Sequence, residues 1–215
     1  MIADPEAFIR RETRVLSPPH CPELKLHLAD EAVPLWQATE EELAEQGLPP
    51  PFWAFAWAGG QGLARHILDR PHLVAGKRVL DFAAGSGLVG IAAMKAGAAS
   101  ALCADIDGFA NVACRLNAVL NDVVLETTGE DVIGRLDLGV DVLLMGDCAY
   151  ERDLATAAFD WARALAAQGV DVLIGDPGRA YMPTSKVRPL ATYHVATSRD
   201  LEDAEVKRTV VWRLI

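Results

Sequence analysis

Residues 82–90 read FAAGSGLVG. They follow the apolar run Val79–Leu80 and lead into LVGIAAMKAG, so the stretch is a glycine turn from a strand into a helix. It contains a literal G-x-G-x-x-G at Gly85, Gly87 and Gly90. Gly85 and Gly87 permit a tight turn and let backbone approach a ligand closely. In an open α/β sheet, ligands bind beyond the carboxyl ends of the strands, at the switch point. The glycines alone do not choose between a dinucleotide, another nucleotide-like ligand and a purely structural turn.

The nearby acids carry more information. Asp81 lies in the strand, four residues before Gly85. A fixed carboxylate is repelled by a pyrophosphate and attracted by a cationic amino group. S-adenosylmethionine carries such an amino group and no phosphate. Asp105 ends the second strand, 18 residues beyond Gly87. A carboxylate there can accept both ribose hydroxyls of NAD or of S-adenosylmethionine. After Asp105 only 110 residues remain, and they complete one sheet. A dehydrogenase usually needs further substrate-binding structure and a proton-transfer residue. Asp81 with Gly85, Ser86 and Gly87 therefore favours S-adenosylmethionine, with a dinucleotide as the alternative.

Outward from the turn, strands and helices alternate. Residues 77–83, 100–106, 123–128, 140–147 and 170–176 read as strands; 87–97, 108–120 and 151–169 read as helices, with Asp107 capping the second. That alternation predicts an α/β fold, a Rossmann-like parallel sheet covered on both faces. Residues 190–198 and 206–215 are two strands with no helix between them, which predicts an antiparallel hairpin at the sheet edge. Upstream, PPPFWAFAWAGGQ (49–61) enters extended because of its prolines. A helix follows over 62–70 with Leu63, Ile67 and Leu68 on one face, stopped at Pro71. Leu24, Leu26 and Leu28 alternate as a short strand. Thr39, Glu42 and Gly47 mark the cap and stop of a helix. The expected division is an N-terminal extension over 1–50, serving as a lid or substrate element, and one domain over 51–215.

A chain of 215 residues, 51% hydrophobic, can bury a real core. Its net charge of −10 argues against nucleic-acid or membrane-surface partners, which need clustered Lys and Arg. No run approaches the ~20 apolar residues of a membrane span. The first residues have no signal-peptide core, and Asp4, Glu6 and Glu12 argue against a transit peptide. Four scattered cysteines without C-x-x-C read as reduced core thiols of a cytoplasmic protein. The five histidines lack metal spacing, and no metal is expected.

The pattern D-x-x-x-G-x-G, an acid ending the second strand and a hairpin-closed sheet resembles the class I, seven-β-strand S-adenosylmethionine-dependent methyltransferases. That resemblance covers residues 50–215 and implies strand order 3-2-1-4-5-7-6 with strand 7 antiparallel. The segments PPFWAFAWAGGQGLARHILD, VLDFAAGSGLVGIAA, DIDGFANVACRLNA, GDCAYERDLA and IGDPGRAYMP resemble a narrower family. It is the lysine methyltransferases of the electron transfer flavoprotein β subunit. ELKLHLADEAVPLWQATEEE is similar to that family too. The resemblance implies transfer of methyl from S-adenosylmethionine to a lysine of the flavoprotein subunit, with S-adenosylhomocysteine as product. Mitochondrial members carry a leader; this chain shows none and resembles the bacterial form.

Site residues follow from the same resemblance. Asp147, in GDCAY (146–150), ends the fourth strand, and Tyr150 comes three residues later. In the related enzymes this D-x-x-Y lies beside the target amine, which implies that Asp147 accepts from the lysine Nε and Tyr150 positions it. The residues alone equally allow Asp147 to cap the next helix and Tyr150 to pack. Trp57 is a candidate wall of the cofactor site, with Gly59 and Gly60 letting backbone pass close. Ile106 is expected against the adenine, and Asp131 as acceptor for its amino group. The loop Asp176–Arg179 is expected at the cleft rim, with Arg179 facing an acidic substrate group. Base-modifying enzymes often place two prolines after the acid of this motif; Cys148 and Ala149 stand there instead, which argues against a base substrate. The competing readings are a small-amine N-methyltransferase and a non-catalytic binding module.

Overall fold

Val79, Leu80 and Phe82 are all buried, as a strand covered on both faces requires. They belong to β3 (Arg78–Phe82) at the centre of the larger of two sheets in this computed structural model, which describes residues 4–29, 50–197 and 204–215. Around β3 lie β4 (Ser100–Ala104), β5 (Glu126–Thr128), β6 (Val142–Gly146), β7 (Asp171–Asp176), β8 (Val187–Ala196) and β9 (Val206–Leu214). The order is β5-β4-β3-β6-β7-β9-β8, and β9 runs antiparallel to both its neighbours. Counted within this sheet, that is 3-2-1-4-5-7-6 with strand 7 antiparallel, as the sequence implied.

Side-chain alternation divides the core between two faces. Leu80, Phe82, Leu143, Met145, Val172 and Ile174 pack against α5 (Arg152–Ala167). Val79, Val142, Leu144 and Leu173 pack against α2 (Ala58–Asp69) and α3 (Leu88–Lys95). Asp81 shares the second face, beneath α3. Pairing moves from β4 to β6 across β3, so their carboxyl ends part and leave a crevice.

The segment before residue 30 packs on this unit. In α1 (Pro5–Glu12), Asp4 accepts from the Ala7 N–H at 3.0 Å and Pro5 fills the first turn. Phe8 and Ile9 bury against α4 (Gly108–Leu120) and Trp53. The strands β1 (Arg14–Leu16) and β2 (Leu26–Leu28) pair antiparallel, and Leu24, Leu26 and Leu28 pack on α2 and α3. The sequence reading found β2 but not α1, whose cap and N-terminal proline were its legible signals. The helix expected over 39–47 lies outside the described residues. All four cysteines are free and buried.

One boundary differs for a tertiary reason. α2 begins at Ala58, so Gly59 and Gly60 lie inside it rather than in an extended entry, with Gly62 in the helix as expected. Gly59 and Gly62 bring the helix against strands, while Gly60 lines the cleft. A Cβ on Gly59 would collide with the Gly175 carbonyl and come within 2.5 Å of Asp147 Oδ2, and one on Gly62 would meet Thr209 Cγ2 at 2.5 Å. Ala gains only about 1 kcal/mol of helix propensity over Gly. Overpacking costs about 1–3 kcal/mol, and here one obstacle is backbone. Gly59→Ala is therefore expected to lower the thermal midpoint by several degrees in calorimetry.

Candidate active site

The crevice at the carboxyl ends of β3, β4 and β6 is a cleft of about 990 Å³. Its floor is the glycine turn. Gly85 and Gly87 have φ of 53° and 76°, in the left-handed region that favours glycine. At Gly87 a Cβ would also meet Cys114 Sγ at 2.9 Å. The third glycine serves another purpose. The Gly90 N–H donates to Asp81 Oδ2 at 2.8 Å, and a Cβ there would lie 2.6 Å from Cys103 Sγ. Gly90 thus lets α3 settle over a buried carboxylate, a role the motif reading did not reach.

Asp81 is only 1% exposed. Burial pushes its carboxyl up to about 8, against the Gly90 N–H and with help from the charge of Asp105. Asp105 is fixed by two donors, the Gly85 N–H on Oδ2 at 2.9 Å and the Asp107 N–H on Oδ1 at 3.0 Å. Burial raises its pKa and those two N–H groups oppose the rise. Asp107 caps α4 by accepting from the Phe109 N–H at 2.8 Å, and burial lifts it to about 6. Ser86 is buried in the turn, its carbonyl accepting from Asn117 Nδ2 at 2.8 Å. Ile106 lines the cleft with 77% of its surface exposed, an apolar side chain that the protein leaves mostly uncovered. Asp131 stands at the exposed rim and accepts from the Ile133 N–H at 3.0 Å.

Trp57 precedes α2 and lines the cleft. Its Nε1–H donates to the Phe52 carbonyl at 2.9 Å, and its ring meets those of Phe52 and Phe55 edge-on, each at 6.0 Å. Tyr150, 48% exposed, has its ring 5.7 Å from Phe52. Burial and then Glu151 raise its phenol pKa, so it stays protonated at neutral pH.

Asp147 is nearly buried and sits at φ 53°, directly after β6. It does not cap α5, whose N-cap is Glu151. Its Oδ2 accepts from the Gly60 N–H at 2.8 Å, and its Oδ1 accepts from Arg179 Nε at 3.1 Å and Nη2 at 2.8 Å. The same guanidinium lies over the Trp57 ring, 5.7 Å from its centroid. Arg179, expected to meet an acidic substrate group, lines the cleft with its guanidinium on Asp147, a partly buried carboxylate being a stronger partner than solvent. No local spacing signals a contact between positions 32 residues apart.

The cleft brings together Trp57, Asp81, Gly85, Ser86, Asp105, Ile106, Asp131, Asp147 and Tyr150, with Gly87 shaping the turn beneath them. The donor set suits S-adenosylmethionine. Burial holds the Asp81 carboxyl above the usual range, so a cation beside it would favour its ionised form; Asp105 offers a fixed carboxylate for hydroxyls, and Ile106 offers an apolar face. A pyrophosphate fits worse. Among the described lining residues Arg179 is the only Lys or Arg, and it is engaged by Asp147.

Comparison with known proteins places the chain among methyltransferases. The family described as Ribosomal protein L11 methyltransferase (PrmA) matches residues 65–143. The electron transfer flavoprotein beta subunit lysine methyltransferase of Xenopus laevis is 38% identical over 214 residues, covering 97% of this chain and 86% of that protein. The Homo sapiens protein of the same name is 32% identical over 218 residues, covering 97% and 82%. A ribosomal protein L11 methylase from Lactobacillus delbrueckii subsp. bulgaricus superimposes with TM-score 0.52 at 19% identity, over 75% of this chain and 80% of that one. Magnesium protoporphyrin IX methyltransferase from Synechocystis PCC 6803, solved with bound S-adenosylmethionine, gives TM-score 0.51 at 17% identity, over 73% and 80%. The two structures share the fold.

Proposed function

Since the chain belongs to the electron transfer flavoprotein β-subunit lysine methyltransferases, we propose that it methylates a lysine of that flavoprotein subunit in a cleft with two separate carboxylate stations. It is a methyltransferase that uses S-adenosylmethionine. The observation that carries the reading is the presence in one cleft of Asp81, suited to a cationic amino group, and of Asp147, fixed at the end of the neighbouring strand.

In this reading Asp81 accepts from the amino group of the donor, beside the backbone of Gly85, Ser86 and Gly87. Asp105 takes the ribose hydroxyls, Ile106 and Trp57 wall the bound donor, and Asp131 accepts from the adenine amino group. When bound, S-adenosylmethionine supplies an already activated methyl group, whose S–C bond breaks as the new N–C bond forms. The protein's task is to align a neutral amine and exclude water. Free lysine has pKa ~10.4, so a proton must leave before attack. Asp147 orients the amine by accepting from its Nε, Tyr150 and Phe52 form the apolar wall, and the proton goes to water at the open rim. A strong base is not required. Pro5 and Pro50 border the cleft, which supports an N-terminal extension that meets the substrate. Four buried free thiols support a reducing, cytoplasmic compartment. No helix among the described residues is long and apolar enough to cross a membrane.

The test is incubation of the pure protein with tritiated S-adenosylmethionine and purified electron transfer flavoprotein, resolved on a gel. A labelled β subunit is expected, with mass spectrometry locating the lysine. An unlabelled subunit, with cofactor binding intact by calorimetry, would move the substrate assignment to another amine.

A further inference from the structure

Arg179 is held from three directions. Asp176 Oδ1 accepts from its N–H at 3.0 Å and from the Gly178 N–H at 2.7 Å. Its carbonyl accepts from the Met182 N–H at 3.2 Å. Its side chain, 22% exposed, spans the Trp57 ring and donates twice to Asp147. This is a preorganised ion pair at the station assigned to the amine, in a cleft whose other charged lining residues are Asp81, Asp105, Asp107, Glu130 and Asp131.

The pair answers a difficulty in the lysine reading. A carboxylate within ~4–6 Å of an amine favours its charged form and raises its pKa. An ammonium has no lone pair with which to attack. A guanidinium fixed on the same carboxylate opposes that rise and remains protonated at every relevant pH. We propose that Arg179 is a positioning residue that offsets the charge of Asp147, so that the lysine held beside Asp147 loses its proton closer to neutral pH. The inference rests on the lysine-methyltransferase reading. The ammonium gives H⁺ to water; the freed lone pair forms the N–C bond while the donor's S–C bond breaks and its sulfonium leaves as a neutral thioether.

The experiment measures kcat on purified electron transfer flavoprotein, at saturating S-adenosylmethionine, from pH 7 to 10. It compares wild type with Arg179→Gln, which keeps a donor without the charge, and Arg179→Lys, which keeps the charge. kcat reports ionisation within the enzyme–substrate complex. The acids named above and Tyr150, Cys148 and Asp176 are common to all three proteins, so differences isolate Arg179. Arg179→Gln is expected to shift the rising limb by about one unit to alkaline pH. Its kcat is then ~10-fold below wild type at pH 7.5 and recovers at pH 10. Arg179→Lys keeps the limb in place with a lower plateau. S-adenosylhomocysteine affinity is expected to change little in either variant, and loss of the ion pair in Arg179→Gln is expected to lower the thermal midpoint modestly. Equal loss at every pH, or an unmoved limb in Arg179→Gln, overturns the inference. Should Arg179→Gln not fold, Arg179→Met carries the same comparison. A wild type that binds cofactor but leaves the flavoprotein unmethylated at every pH overturns the lysine reading and this inference with it.

Discussion

Asp81→Asn is expected to weaken S-adenosylhomocysteine binding by about 100-fold or more in calorimetry, the scale of losing a buried charge-assisted hydrogen bond. Asn is the informative replacement. Its carbonyl can still accept from the Gly90 N–H, so α3 stays seated. Ala would orphan that buried donor, at about 1–3 kcal/mol of stability. The effect has a pH signature. Burial and Asp105 lift Asp81 to about 8, far above an ordinary carboxyl at ~3.9. The folded, ligand-free protein therefore holds a proton that the unfolded chain has released. This contributes stability below about pH 4, and the contribution is lost as pH rises through about 8. A cationic ligand reverses the balance by ionising Asp81 and expelling its proton. Affinity should rise with pH between 6 and 8, and binding heats should differ between buffers of different ionisation enthalpy. In Asp81→Asn that Asp81 proton release should disappear. Wild-type affinity in the variant would remove Asp81 from the cofactor site.

Asp147→Asn is expected to keep S-adenosylhomocysteine affinity within a few-fold and to lower kcat on the order of 100-fold, the scale of a misaligned nucleophile. The carboxylate holds Gly60 and Arg179 in place, so the variant also loosens the mouth of the cleft. A modest fall in thermal midpoint should accompany the loss of the ion pair. Unchanged turnover on the flavoprotein would leave Asp147 as a structural clamp on Gly60 and Arg179 alone, since it is not the N-cap residue of α5.

The sheet was legible because its strands are short apolar runs punctuated by glycine, and periodicity reports burial on both faces. Asp81 and Asp105 were legible as cleft residues because their place is set relative to a turn a few residues away. Asp107 was legible because capping is local, and the structure shows the cap. What escaped the sequence depends on distant partners. Gly59 is glycine because Gly175 in β7 and Asp147 just after β6 press against it. Gly90 is glycine because Asp81 and Cys103 lie beneath it. Arg179 faces inward because Asp147 and Trp57 wait across the cleft. α1 was missed for the opposite reason: its cap was local, but its apolar face is only two buried residues wide, too little for periodicity to register.

The left-handed backbone at residue 147 also limits what mutation can write there. Asp, Asn and Gly tolerate that conformation with little strain, whereas other side chains cost roughly 1–2 kcal/mol. Asn and Gly codons each lie one base change from an aspartate codon. The easiest substitutions at this position thus preserve the turn while discarding the carboxylate. On the reading given above, where selection keeps stability but not turnover, the substitutions that survive here leave a protein of the same shape that still captures the methyl donor and no longer spends it.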